Sequence, residues 1–232
     1  MPTSRNITKK IANYDDPGSM GSKFRAKRIE GFLSLVEDIH REKGKVRILD
    51  VGGTRYYWNI VPLKYLEDMN VEITLVNLPG SNQPADEKHF IYREGDACNL
   101  SDIADNSYDI AHSNSVIEHV GDWSKMKMYA EEIARVSNIY YVQTPNYWFP
   151  VEPHCMTPLF HWLPKPMRIW LVMTFNLGHW QKRETVDGAM EAIESARLLN
   201  KKMFRELFKD ANHTTERFFL LPKSLIAIRK RN

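Results

Sequence analysis

Short hydrophobic runs recur along the middle of this chain, each closed by a polar, glycine or proline turn, and that rhythm constrains the fold more than any other feature. Residues 46–51, 71–76, 90–94, 108–113 and 139–143 are rich in Val, Ile, Leu and Tyr and read as strands. Helical spacing precedes or separates them. Phe32, Leu35, Val36 and Ile39 share one face of a helix over 24–43, which Gly44 stops. A weaker helix is expected over 61–69, and further helices over 126–136, 189–199 and 203–208. Strands alternating with helices predict an α/β fold, a mostly parallel sheet with helices on both faces. Two final extended runs, 216–221 and 224–229 joined by Pro222-Lys223, predict an antiparallel terminal hairpin.

Composition narrows the class. The chain has 232 residues, 43% hydrophobic and 26% charged, enough for one substantial core and therefore one domain. Within it the pattern divides into an N-terminal lid and helix (1–44), a core (45–146), an insertion (147–188) and C-terminal helices with the hairpin (189–232). The net charge of +3 is small for a protein that neutralises many phosphates, so no nucleic-acid partner is expected. The basic run 23–28 reads as a solvated helix face. Cys98 and Cys155, the only cysteines, form no Cys-x-x-Cys and suit a reducing cytoplasm. The N-terminus lacks the apolar run of a secretory signal. The apolar run 169–180, interrupted by Asn176 and Gly178, is shorter than the roughly 20 residues of a membrane span. No stable membrane insertion is expected, only peripheral contact.

In an open α/β sheet, ligands bind beyond the C-terminal strand ends. After the first strand stand Gly52 and Gly53, where a backbone can approach a ligand closely, with Asp50 at the strand end as an acceptor. An ordinary tight turn is the competing reading. Asn77 follows the second strand and can accept and donate to hydroxyls, or simply form a turn. Asp96 and Ala97 follow the third, and Asn114 through Val120 follow the fourth. Glu118 and His119 are adjacent, so on a helix only one of them should face the site.

Ile48-Leu49-Asp50-Val51-Gly52-Gly53, Gly95-Asp96-Ala97, and the stretch from Tyr108 to Val120 with its Asn114-Ser115-Val116-Ile117-Glu118-His119 resemble, in order, motifs of class I methyltransferases that use S-adenosylmethionine (SAM), nearest to the type-11 branch. That resemblance runs over about 45–145. It implies a Rossmann-like, seven-stranded, mostly parallel sheet with an antiparallel C-terminal strand, SAM as cofactor and S-adenosylhomocysteine as product. It also implies that Asp50, Gly52 and Gly53 hold the methionine part of SAM, Asn77 the ribose and Asp96 with Ala97 the adenine. Asn114 lies beside the methionine amine, and Tyr14 in the leader is a candidate contact for the carboxylate. Thr54-Arg55 stands where the family usually has a third glycine, and Asn77 where it usually has an acid.

Methyl transfer to a hydroxyl requires alignment and a proton acceptor, for which His119 and His154 are the candidates; a structural turn-capping role is the alternative for each. The segment 147–180, rich in proline and holding four of six tryptophans, is expected to form the acceptor wall, with Asn146, Tyr147 and Trp148 binding substrate. No metal ligands are assigned. Segment 146–154 is similar to methyltransferases of bacterial surface-polysaccharide or secondary-metabolite pathways, so a small-molecule, saccharide or lipid-linked hydroxyl is the expected acceptor. The rival readings are a nucleic-acid methyltransferase, a nicotinamide oxidoreductase (no Gly-x-Gly-x-x-Gly is present) and a non-catalytic nucleotide-binding protein of the same fold.

Overall fold

The computed structural model describes residues 20–81 and 84–230; the expected leader contact Tyr14 lies outside them. Helix α1 (Met20–Lys43) leads into strand β1 (Val46–Val51), a 3-10 turn (Tyr57–Ile60) and helix α2 (Leu63–Asp68). Strands β2 (Val71–Asn77), β3 (Phe90–Glu94) and β4 (Ile110–Asn114) follow, then a 3-10 turn (Ile117–His119), helix α3 (Trp123–Val136) and strand β5 (Tyr140–Pro145). The sheet order is β3-β2-β1-β4-β5-β9-β8, where β8 is Asn212–Phe218 and β9 is Leu221–Arg229. The β1–β5 ladders are parallel, whereas β9 runs antiparallel to both β5 and β8. This is the Rossmann-like arrangement of methyltransferases, with the reversal of strand order falling between β1 and β4.

Each face of the sheet buries its own hydrophobic cluster. On one, Phe32, Leu35, Val36 and Ile39 of α1 meet Ile48, Trp58, Ile73 and Tyr141. On the other, Tyr129 and Ile133 of α3 and Phe204 of a later helix, α6 (Lys201–Leu207), meet Leu49, Val51 and Val142. The strand side chains alternate between these two layers, as a strand covered on both faces must.

After β5 the chain leaves the sheet. Short strands β6 (Val151–Glu152) and β7 (Thr157–Pro158) pair, and helices α4 (Lys165–Thr174) and α5 (Val186–Glu194) pack over a third small core of Cys155, Phe160, Val172, Ala189, Ala192 and Ile193. The expected boundary at 188 therefore falls inside α5, which packs with the insertion. Thr185 caps α5 by accepting from the Gly188 amide, and Asn200 caps α6 through the Lys202 and Met203 amides.

The terminal hairpin turns earlier than Pro222-Lys223. Phe219 adopts a positive φ of 52° at the turn, and an irregularity at Glu216/Arg217 lets Pro222 enter the ladder opposite Arg217. Among the described residues, no helix is long and apolar enough to cross a membrane.

Candidate active site

The C-terminal ends of β1, β2 and β4 make one side of the site. Gly52 has φ +74°, and a Cβ there would lie 2.5 Å from a Val116 methyl. At Gly53 a Cβ would fall 1.7 Å from Asp50 Oδ2. Only glycine lets the loop pass this close to the carboxylate and to the β4 turn. Asp50 is 1% exposed, and both its oxygens are engaged, Oδ2 by the Trp58 indole N–H (2.7 Å) and Oδ1 by His112 Nδ1 (2.7 Å). Its carboxylate thus braces the glycine loop from below. Asn77, half-buried, donates from Nδ2 to the Gly53 carbonyl (2.8 Å), and no donor among the described residues reaches its Oδ1. Asp96 Oδ1 accepts from the Cys98 amide (2.9 Å), closing the turn that carries Ala97.

Asn114 contributes differently from its neighbours. Its side-chain oxygen accepts from Arg28 (2.5 Å), which also donates to Gln143 Oε1 (3.0 Å) and pairs with Glu216 (2.9 Å). Arg28 is buried, its side chain 7% exposed, so the reading of 23–28 as a solvated face fails at this position. Burial depresses the guanidinium, but the adjoining Glu216 carboxylate raises it overall. Sequence periodicity carries no sign of such a link, because its partners lie 86 to 188 residues away.

The ends of β4 and β5 and the insertion form the other side. Here His119 and His154, 35 residues apart, meet with Nε2 atoms 3.1 Å from each other and rings edge to face. His119 Nδ1 sits 2.7 Å from the Ser195 carbonyl, and His154 Nδ1 2.7 Å from Glu152 Oε1. Glu152 Oε2 takes the backbone amides of His154 and Cys155 (2.8 Å each), so this carboxylate is fixed. Burial pulls the His154 imidazolium down, but the Glu152 hydrogen bond and the charges of Glu152 and Glu118 raise it overall. Burial pushes Glu152 up, yet its bond to His154 takes it below the ordinary carboxylate range.

Glu118 lies wholly buried beside this pair. One oxygen accepts from Thr144 Oγ1 (2.9 Å); the other, Oε1, has no partner among the described residues. Burial raises its carboxyl, with His119 and His154 partly opposing. The sequence expectation that Glu118 and His119 diverge is corrected: residues 117–119 form a 3-10 turn rather than an α-helix, and a Glu118 oxygen and nitrogens of both histidines lie within 4.8 Å of one another.

Beyond His154 opens a cleft of about 460 Å³ lined by Tyr147, Phe160, His161, Lys165, Arg168 and Trp180, with Arg197 opposite. Tyr147 faces it. Trp148 is 58% exposed and is not among the cleft's lining residues, its ring against Trp162 and Tyr147. Asn146 is buried and ties strands together, donating to the Pro222 carbonyl (2.9 Å) and accepting from the Trp148 amide (3.3 Å). Trp58, His112, Glu152 and Arg28 are site residues that sequence reasoning missed; the pair Glu152 and His154, two apart, was the one legible signal among them.

Residues 49–138 match the model of a family described as a methyltransferase domain. No curated protein matches the chain. Among solved structures, human N-acetylserotonin methyltransferase in complex with SAM is similar at a TM-score of 0.54 and 12% identity, over 98% of this chain and 55% of that one. An O-methyltransferase family protein from Burkholderia thailandensis aligns at 0.50 and 12%, over 95% of this chain and 63% of that one. A protein provisionally described as a sarcosine dimethylglycine methyltransferase from Galdieria sulphuraria aligns at 0.50 and 16%, over 85% and 64%. The chain thus spans somewhat more than half the length of these structures. Their identities are low and carry the fold. The family match adds a methyltransferase domain over residues 49–138, and the human N-acetylserotonin methyltransferase structure holds SAM. The residues present fit SAM: glycines at 52 and 53 keep the loop backbone clear where a side chain would collide with Val116 and Asp50, and no donor among the described residues reaches Asn77 Oδ1.

Proposed function

We propose that this chain, which carries the class I SAM-dependent methyltransferase domain and fold, methylates a hydroxyl oxygen of a small-molecule or saccharide acceptor held in the cleft beside His154. The observation that carries this reading is the meeting of His119 Nε2 and His154 Nε2 at the strand ends, where the cleft begins. When bound, SAM supplies a methyl group on a sulfonium, which a nucleophile displaces in line.

The chain's part is to hold, orient and deprotonate. Gly52, Gly53 and Asn77 seat the cofactor's methionine and ribose, with Asp50 shaping the loop from beneath. Asp96 with Ala97 faces the adenine, and Asn114 borders the methionine amine, its side chain fixed by Arg28. Glu152 accepts from His154 Nδ1–H, which leaves Nε2 as the basic atom of that ring. The acceptor's proton passes to this nitrogen as oxygen attacks, and the neighbouring His119 Nε2 shares it. With SAM bound, the methyl group would go to the acceptor oxygen and the acceptor's proton to the histidine pair, S-adenosylhomocysteine being the leaving product.

The cleft's size suits a sugar or similarly sized acceptor. Tyr147, Phe160 and Trp180 provide flat apolar walls for sugar faces, and Lys165, Arg168 and Arg197 add positive charge at its rim. Both cysteines are free and buried, which agrees with a reducing, cytoplasmic setting for a single methyltransferase domain.

Incubation with methyl-labelled SAM and a panel of hydroxyl, amine and carbon acceptors tests the reading. Label should appear on oxygen, and His154→Ala should cut turnover by about 10² while SAM affinity by calorimetry stays unchanged. Label on nitrogen or carbon would remove the oxygen assignment, and absence of SAM binding would remove the whole reading.

A further inference from the structure

We propose that Glu118, His119 and His154 bind one divalent transition-metal ion of the Zn²⁺ type at the mouth of the cleft. The inference starts from tautomers. Each ring has an acceptor at Nδ1, the Ser195 carbonyl for His119 and the Glu152 carboxylate for His154. Both therefore keep their proton on Nδ1 and present a lone pair at Nε2. Two such lone pairs 3.1 Å apart repel unless something positive lies between them. A shared proton would satisfy the histidines alone. It leaves Glu118 Oε1, wholly buried and without a partner among the described residues, still unanswered. A cation answers all three atoms at once.

The distances agree with this. Bonds of about 2.0–2.1 Å to a tetrahedral ion set neighbouring ligand atoms roughly 3.3 Å apart. The Nε2 atoms are already at 3.1 Å, and a Glu118 carboxylate oxygen lies within 4.8 Å of a nitrogen of each ring. A swing of the carboxylate by about 1–1.5 Å completes the set. The surroundings are those that orient metal ligands: a carboxylate behind one imidazole, a backbone carbonyl behind the other, and the Thr144 hydroxyl on the remaining Glu118 oxygen. Two imidazoles and one carboxylate favour zinc-like ions over Mg²⁺ or Ca²⁺, which prefer oxygen. His119 is exposed, so a fourth position stays open to water or an acceptor hydroxyl.

Binding of the ion does not depend on the methyl-transfer reading, but its role does. A hydroxyl on the ion loses its proton to water more readily, and the histidines then hold the ion instead of receiving the proton.

The whole chain, stripped with chelator, is titrated with Zn²⁺ by calorimetry and with Co²⁺ by visible absorption. One ion per chain is expected, with the intense Co²⁺ band of low coordination number. His154→Ala and Glu118→Gln should each weaken Zn²⁺ binding by about a hundredfold or more while circular dichroism stays native. His161→Ala, a cleft residue outside the cluster, should leave it unchanged. Absence of Zn²⁺ binding, or binding that His154→Ala and Glu118→Gln leave intact, overturns the proposal. SAM titration of the same samples separates the two readings: SAM binding without Zn²⁺ removes the ion alone, and Zn²⁺ binding without SAM removes methyl transfer alone.

Discussion

The two sides of the site treat their buried carboxylates in opposite ways, although His112 Nε2 and Tyr57 OH behind Asp50 also find no partner among the described residues. On the cofactor side, Asp50 has a donor on each oxygen, and Arg28 is tied to Asn114, Gln143 and Glu216. On the acceptor side, Glu118 Oε1 has no partner among the described residues, and two histidines point basic nitrogens at each other. Buried polar groups are ordinarily paired, and each exception calls for a reason. The saturated side is scaffold that shapes a loop. The unsaturated side holds its groups ready for something that arrives. Mutations should therefore cost stability on the first side and function on the second.

The largest stability effect should come from Arg28→Ala. It removes the main partner of half-buried Glu216, and breaking a buried pair costs about 3–5 kcal/mol; Lys223 Nζ at 3.6 Å and the Ser224 hydroxyl at 3.0 Å from Glu216 keep the loss near the lower end. Urea unfolding reads it, and a loss below about 1 kcal/mol would place Arg28 with ordinary surface pairs. Next comes Gly53→Ala. Its Cβ, 1.7 Å from Asp50 Oδ2, must push that carboxylate off Trp58 and His112. Overpacking of this kind costs about 1–3 kcal/mol, and SAM affinity should fall with it. Asp50→Ala should also weaken SAM binding more than tenfold, a loss of about 1.4 kcal/mol, through the slackened loop. Unchanged calorimetric affinity in both variants would mean the loop does not seat the cofactor.

The opposite sign is expected at Glu118. In chelator-treated protein Glu118→Gln replaces a buried carboxyl whose Oε1 finds no partner among the described residues, so stability should hold or rise by about 1 kcal/mol, even as turnover falls. If this variant unfolds as readily as Arg28→Ala does, Glu118 belongs with the scaffold and the contrast between the two sides disappears.

Legibility in the sequence follows the range of the interactions. Strand alternation, the α1 stripe and the glycine loop are local patterns set by periodicity and backbone freedom, and they are readable without any partner. The order of β9 before β8 follows from the resemblance rather than from periodicity. Arg28 looked like one of several basic residues on a helix, because its burial is decided by Glu216 across the hairpin. His119 and His154 were visible as titratable residues near strand ends. Their contact was not, since it depends on how a proline-rich insertion folds back over β4 and β5. Glu118 and His119 approach the same cluster because the chain makes a single 3-10 turn where α-helical geometry would send them apart.

The smallest expected effect lies furthest out, on the acceptor wall, and separates two aromatic neighbours. Tyr147 lines the cleft, and its backbone carbonyl is gripped by both His161 Nε2 (2.8 Å) and the Trp162 indole N–H (2.9 Å). Its ring is thereby held as a fixed surface. Trp148 points away, 58% exposed, with its ring against Trp162. A sugar-sized acceptor should therefore stack on the first and miss the second. Removing the Tyr147 ring takes away one face of a contact that the rest of the cleft still supports, so its cost should be modest. Tyr147→Ala is expected to raise the acceptor KM about fivefold, close to 1 kcal/mol, with kcat nearly unchanged, because the histidine cluster is not disturbed. Trp148→Ala should leave both constants as they are. A larger penalty at Trp148 than at Tyr147 would show that the acceptor approaches over the outer surface of the insertion, and the cleft beside His154 would then lose its claim to the substrate.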